Sequence, residues 1–306
     1  MNRQFTSIVD TSHTDIAEIV RLARQPIPTT EYLNTHVSLV FERPSLRTRA
    51  SSITAVQQLG GHVAVFTDAE IGLDSRESAE DVARTLAQTS SVIAARVKSH
   101  DVFERMIAAT NGSVSFINLL SNTEHPAQAV ADVLTLADHL SGGDVNLLQG
   151  RTVAYVGDAT NVTRSLALIL AGFGVHVRVA APTGYELRSD DEYNFANRAR
   201  FGATLLATTD PVAAVSGVDA VYTDSWISMG LEAEATERRR IFAPYQVNAE
   251  LMSHATDAYV LHCLPAHRGE EITDDVLDSP RSVVWTQVRH RTSAMLGVLR
   301  WLKEQA

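Results

Sequence analysis

The chain has 306 residues, 45% of them hydrophobic, a net charge of −10 and a single cysteine. That length and apolar content suffice for a sizeable core and for two domains, and the acidic balance argues against a nucleic-acid-binding surface, which concentrates positive charge. Cys263 alone makes no intrachain disulfide and offers no zinc framework.

The start, Met1-Asn2-Arg3-Gln4-Phe5, lacks an apolar signal region, and no segment nears the roughly 18 apolar residues of a membrane span. The expected location is the cytoplasm, with no membrane partner. The run Val37–Phe41 reads as a strand, and Leu46 to Leu59 has helical spacing, with Pro44 breaking the chain between them. Ser45 then stands near a helix N-terminus, where free N–H groups and the helix dipole favour an anion and the hydroxyls of Ser45 and Thr48 add donors. Arg47 and Arg49 are about 200° apart around such a helix. One can grip a phosphate bidentately while the other pairs with a structural carboxylate. The same residues also suit a capped, solvated basic helix start.

Further strand-like runs are Val63–Phe66, Val92–Arg96, Val114–Leu119, Thr152–Gly157, His176–Ala181, Thr204–Ala207, Ala220–Asp224, Tyr259–Leu264 and Ser282–Thr286. Amphipathic stretches such as Ala79–Gln88, Pro126–Leu140 and Asn161–Phe173 lie between most of them. This alternation predicts an α/β fold: two doubly wound parallel-sheet domains of similar size, joined by long helices. The boundary is expected at Ser141-Gly142-Gly143-Asp144, giving domains 1–141 and 142–306. A last helix over about 289–304, apolar at Met295, Leu296, Val298, Leu299, Trp301 and Leu302, is expected to pack back on the first domain.

Four more segments can carry chemistry. His125-Pro126-Ala127-Gln128, with Asp132, puts His125 at a helix entrance and Gln128 one turn in, able to donate to a carbonyl oxygen and accept from an amide; a helix-capping His is the plainer reading. Asp224, with Ser228-Met229-Gly230, follows a strand and suits a substrate ammonium, or an ordinary turn. His262-Cys263-Leu264-Pro265 lies at the carboxyl end of a strand, where open α/β sheets bind ligands; the thiol there reads equally as a small buried hydrophobe. Val156-Gly157-Asp158-Ala159-Thr160-Asn161 has the look of a nucleotide-binding turn but lacks the repeated glycines, which disfavours a nicotinamide site.

Together and in this order, Ser45-Leu46-Arg47-Thr48-Arg49, His125-Pro126-Ala127-Gln128, Asp224 with Ser228-Met229-Gly230, and His262-Cys263-Leu264-Pro265 with Gly269-Glu270-Glu271 resemble the aspartate/ornithine carbamoyltransferase family, and within it the ornithine branch. The resemblance covers nearly the whole chain. It implies transfer of the carbamoyl group from carbamoyl phosphate to the δ-amine of L-ornithine, giving L-citrulline and phosphate in arginine metabolism.

By that resemblance Ser45, Leu46, Arg47 and Thr48 would hold the phosphate, and Arg96, His125 and Gln128 the carbamoyl group. Asn161, Asp224, Ser228 and Met229 would bind ornithine, Cys263 and Leu264 would line the reacting centre, and Arg291 would reach in from the last helix. The implied catalytic set is Arg96, His125, Gln128, Cys263 and Arg291. It implies no metal or organic cofactor, because arginines neutralise the charge, and no nucleic-acid partner. It also implies a homotrimer in which loop 69–78, with Glu70 and Arg76, serves the neighbouring subunit's site. The chain departs from the family pattern at Leu46, often Thr; at Glu70, often Gln; and at Gln287-Val288-Arg289-His290-Arg291, usually acidic with Asn before the Arg. Carbamoylation of another diamine or of a modified ornithine, or a catalytically weak regulatory paralogue, are the competing readings.

Overall fold

The computed structural model describes residues 2–227 and 230–303. The chain forms two compact units, one of residues 1–131 with 289–306 and one of residues 132–288.

The first unit is built on a four-stranded, all-parallel sheet of β1 (His36–Phe41), β2 (His62–Thr67), β3 (Val92–Arg96) and β4 (Ser115–Leu120), in the order β2-β1-β3-β4. Strand β3 is buried along its whole length, as expected of a strand covered on both faces. Val40, Ile93, Ala95 and Phe116 from the sheet pack with Val82 and Phe103 from the helices Ala79–Ala87 and Asp101–Ala109. The strand order reverses between β1 and β3, and the register sets Phe41 beside Arg96 at that point. Such a reversal opens a crevice at the carboxyl ends of the strands.

Within this unit the end of the last helix lies against the helix His13–Arg24. A Cβ on Gly297 would stand 2.3 Å from the carbonyl oxygen of Ile19, so the close approach requires glycine. The buried Tyr32 hydroxyl donates to the Leu299 carbonyl, and Arg300 Nε meets Glu31 at 3.1 Å. The buried Tyr32 hydroxyl and Arg300 guanidinium thus each find a partner, as burial demands.

The second unit carries β5 (Thr152–Val156), β6 (His176–Ala180), β7 (Leu205–Thr208), β8 (Ala220–Thr223) and β9 (Tyr259–His262), again all parallel, in the order β7-β6-β5-β8-β9. Val156, Ala180, Val221, Val260 and Ile272 lie in its core. Here the order reverses between β5 and β8.

The predicted strand Ser282–Thr286 is not formed. Ser282 makes one isolated bridge to Val260, and the helix Val284–Lys303 begins two residues later. Its Val-Val-Trp run is β-prone in isolation, but tertiary packing overrides so short a preference. The chain passes from one compact unit to the other inside the helices Pro126–Leu140 and Val284–Lys303, whereas the glycine-rich turn at Ser141 to Asp144 falls within the second unit.

Candidate active site

In the first unit the functional groups converge on the β1/β3 reversal. Ser45 caps the helix Leu46–Gln58: its Oγ accepts from Thr48 N at 3.4 Å and donates to Thr48 Oγ1 at 2.9 Å. The Leu46 side chain stands 78% exposed, and its backbone N–H belongs to the first turn of the helix, whose N–H groups have no partner within the helix. Arg47 is half-buried and Arg49 exposed, so the two do face differently. Arg49 lies near enough to Glu70 for its charge to favour the carboxylate.

Arg291, 7% exposed, reaches this point from the last helix. Its Nη2 donates to Thr48 Oγ1 at 2.6 Å and its Nη1 to Gln128 Oε1. Thr48 Oγ1 then accepts from both Ser45 and Arg291, which leaves its own proton as the part it can offer. Arg96 ends β3 and is buried. His125, 3% exposed at the entrance of the helix Pro126–Leu140, is held well below the ordinary histidine pKa, first by burial and then by the charges of Arg291 and Arg96. It is therefore a neutral imidazole set among arginines. Ser45, Thr48, Arg96, His125, Gln128 and Arg291 thus belong to one site in this unit.

Loop 69–78 does not leave the Glu70 carboxylate aimed at an anion. Its Oε2 accepts from Thr67 N at 2.6 Å and from Thr67 Oγ1 at 2.8 Å, capping the turn Asp68–Ile71. Those bonds hold the exposed carboxyl below its ordinary pKa. Arg76 donates to the Glu70 backbone oxygen rather than to its carboxylate. Thr67, and then the charge of Arg49, are what favour the Glu70 carboxylate.

In the second unit Asn161 opens the helix Asn161–Gly172 after β5, and Asp224 follows β8, on either side of the β5/β8 reversal. The Cys263 thiol donates to Asp224 Oδ1 at 2.9 Å. A sulfur held as a donor is not the thiolate that nucleophilic attack needs. Burial raises the Asp224 pKa above the ordinary value, opposed by His262 and by the Cys263 hydrogen bond. Ser228 and Met229 lie outside the described residues.

The Cys263-Leu264 turn is anchored through His262, which is fully buried. Leu264 N donates to His262 Nδ1 at 2.8 Å, which places the ring proton on Nε2, 3.1 Å from Glu271 Oε1. Leu264 adopts a φ of 59° there. Three supporting residues escape a reading by sequence motif. Gln287, at a position where the family pattern is usually acidic, accepts from His262 N at 3.0 Å and donates to Asp132 at 2.7 Å and to the Tyr222 hydroxyl at 3.0 Å. Arg238 fastens Asp158, so the turn after β5 spends its carboxylate on a structural ion pair. Glu124, beside His125, is 1% exposed. The signal available in sequence was a polar residue in an apolar setting, which names no partner.

Residues 3–138 match the family model described as the carbamoyl-P binding domain of aspartate/ornithine carbamoyltransferase, and residues 149–302 match that of its Asp/Orn binding domain. The chain is 43% identical over 268 residues to an ornithine carbamoyltransferase of Pyrococcus horikoshii, covering 87% of this chain and 82% of the relative. It is 40% identical over 311 residues to that of Carboxydothermus hydrogenoformans, covering 98% and 97%. The solved ornithine carbamoyltransferase of Pyrococcus furiosus superposes with a TM-score of 0.88 at 39% identity, covering 97% of this chain and 96% of that one. With both halves of the chain matched and relatives of this identity over most of its length, the chain belongs to the aspartate/ornithine carbamoyltransferase family.

Proposed function

We propose that the protein is an ornithine carbamoyltransferase, carrying the carbamoyl group of carbamoyl phosphate to the δ-amine of L-ornithine and releasing L-citrulline and phosphate. The observation that carries this is the fork of Arg291 on Thr48 and Gln128 beside a buried, neutral His125 and Arg96. In this reading Ser45, Arg47, Thr48 and the backbone N–H of Leu46 hold the phosphate at a helix N-terminus. Arg96, His125 and the Thr48 hydroxyl stabilise the oxyanion formed when the amine adds to the carbamoyl carbon. Gln128 orients the carbamoyl amide.

The second unit serves the amine. Asn161 and Asp224, with Ser228 and Met229, take the α-amino and α-carboxylate end of ornithine, while Cys263 and Leu264 border the reacting centre. An ammonium is not a nucleophile, so the amine must shed its proton first; surrounding arginine charge and exclusion of water favour the neutral form. The departing phosphate is then a suitable proton acceptor. Arginines provide the charge neutralisation throughout.

The relatives include one called anabolic, which supports a place in arginine biosynthesis. No helix among the described residues is long and apolar enough to cross a membrane, in keeping with the proposed cytoplasmic location. We assign a homotrimer in which loop 69–78, with Arg76 exposed on it, completes a neighbouring subunit's phosphate site; its exposure and its cation support that role. Citrulline formation from carbamoyl phosphate and ornithine tests the reading, with Arg47→Ala as the blank. An inactive wild-type protein would sink it.

A further inference from the structure

The turn that delivers His125 is clamped by the first residues of the chain. Phe5 extends the open edge of β4: its N–H donates to Phe116 O at 2.8 Å and its carbonyl accepts from Asn118 N at 2.9 Å. Two residues on, the Ser7 hydroxyl donates to Glu124 Oε1 at 2.7 Å and Ile8 N to Glu124 Oε2 at 2.7 Å. Ser7 is 4% exposed, and Ile8 and Glu124 are as deeply buried. The Glu124 main chain closes the turn on itself, with Ser121 N donating to Glu124 O at 2.9 Å and Glu124 N to Ser121 Oγ at 3.3 Å. Asn118 Nδ2 ties the two layers together, reaching Thr6 O at 2.9 Å and Ser121 Oγ at 3.2 Å.

A carboxylate so far from water is costly unless hydrogen-bonded, so both of its oxygens are committed to this strap. Its backbone continues directly into His125, whose N–H-bearing ring must meet a substrate oxygen within a few tenths of an ångström to be of use. The same strap also touches the helix that carries Arg291: Arg3 Nη1 donates to Trp301 O at 2.7 Å, and the Phe5 and Trp301 rings meet edge-on at 6.2 Å. We infer that Glu124, held by Ser7 and Ile8, is a positioning residue for His125, so that the N-terminal strap sets the geometry of carbamoyl transfer. This rests on the carbamoyltransferase reading above.

Glu124→Gln keeps the size but removes the charge and turns one carboxylate oxygen into an NH2 group, which Ser7 can meet only by turning its hydroxyl from donor to acceptor, although Oγ already accepts from Val9 N at 3.0 Å, so the clamp is weakened. Ser7→Ala removes that hydroxyl alone. Thr11→Val is the stability control: it deletes the buried bond from Thr11 Oγ1 to Ser7 O, 2.7 Å, and leaves in place the Ser7 hydroxyl and the Ile8 N–H that donate to Glu124. In full-length protein, kcat/KM for carbamoyl phosphate is expected to fall about tenfold or more in Glu124→Gln and in the same direction in Ser7→Ala. The KM for ornithine should stay within about twofold, and Thr11→Val should lower Tm with kinetics unchanged. Wild-type kinetics in both strap variants, whatever their Tm, would overturn the inference; if Glu124→Gln does not fold, Ser7→Ala decides. Wild type assayed alongside separates the two readings, since its failure to make citrulline would count against carbamoyl transfer itself.

Discussion

Arg291 and Thr48 are 243 residues apart in the chain, and the Arg291 guanidinium donates to the Thr48 hydroxyl at 2.6 Å. The same guanidinium holds Gln128. One side chain thus links the helix Leu46–Gln58, proposed to receive the phosphate, to the helix Pro126–Leu140, proposed to present the carbamoyl-binding groups, and its charge adds to burial in raising the cost of protonating His125.

Arg291→Lys keeps the charge but not the planar fork, and cannot hold two acceptors in that geometry. Its kcat/KM for carbamoyl phosphate is expected to drop by about 100-fold, and that of Arg291→Ala by more. Steady-state kinetics with ornithine saturating checks this; near-wild-type Arg291→Lys would show that charge alone suffices.

His125 makes stability fall in acid. Its pKa is depressed in the folded protein, so below about pH 6.5 the unfolded chain takes up a proton there that the folded chain does not, and stability falls by up to about 1.4 kcal/mol per pH unit. Above that pH the effect is absent. His125→Asn should therefore flatten the decline of Tm between pH 7 and pH 5. Parallel Tm curves for the two proteins would contradict a buried neutral histidine.

Asp224→Asn leaves the Cys263 thiol an acceptor but removes the charge proposed to hold the ornithine ammonium. The KM for ornithine should rise by roughly tenfold or more, with carbamoyl phosphate binding by calorimetry little changed. Equal loss on both sides would mark Asp224 as structural. Cys263→Ser, which keeps a donor to Asp224, should retain measurable turnover, because no covalent step passes through the sulfur.

Gly297→Ala tests the packing that delivers Arg291. The new Cβ would meet Ile19 O at 2.3 Å, so the last helix and the helix His13–Arg24 must part, at a cost of about 1–3 kcal/mol. Tm should fall and carbamoyl phosphate affinity with it. A variant as stable as wild type would mean the two helices are free to separate there.

Much of the fold was legible because parallel strands buried on both faces read as continuous apolar runs: Val37–Phe41, Val92–Arg96 and Tyr259–His262 announce themselves. Ser282–Thr286 misled for the same reason, since a β-branched run at a helix start has the composition of a strand. The Ser45-capped helix start proposed to bind phosphate was legible because a proline break, a capping Ser and clustered arginines are local features. Arg291 was not, because its partners Thr48 and Gln128 are remote in the chain and a pattern match alone located it. Gln287, Glu124 and Arg238 were less legible still: each acts by filling a buried hydrogen-bonding demand that exists only once the strands have been brought together.

The most direct measurement is turnover with carbamoyl phosphate and a panel of amines, L-ornithine, L-lysine, putrescine and an Nα-blocked ornithine, with citrulline or its analogue quantified. The account predicts efficient citrulline formation from L-ornithine, abolished by Arg47→Ala, and poor use of putrescine and the blocked ornithine, which lack the free α-amino group that Asp224 would hold. Turnover of putrescine or the blocked ornithine with none of ornithine would contradict it.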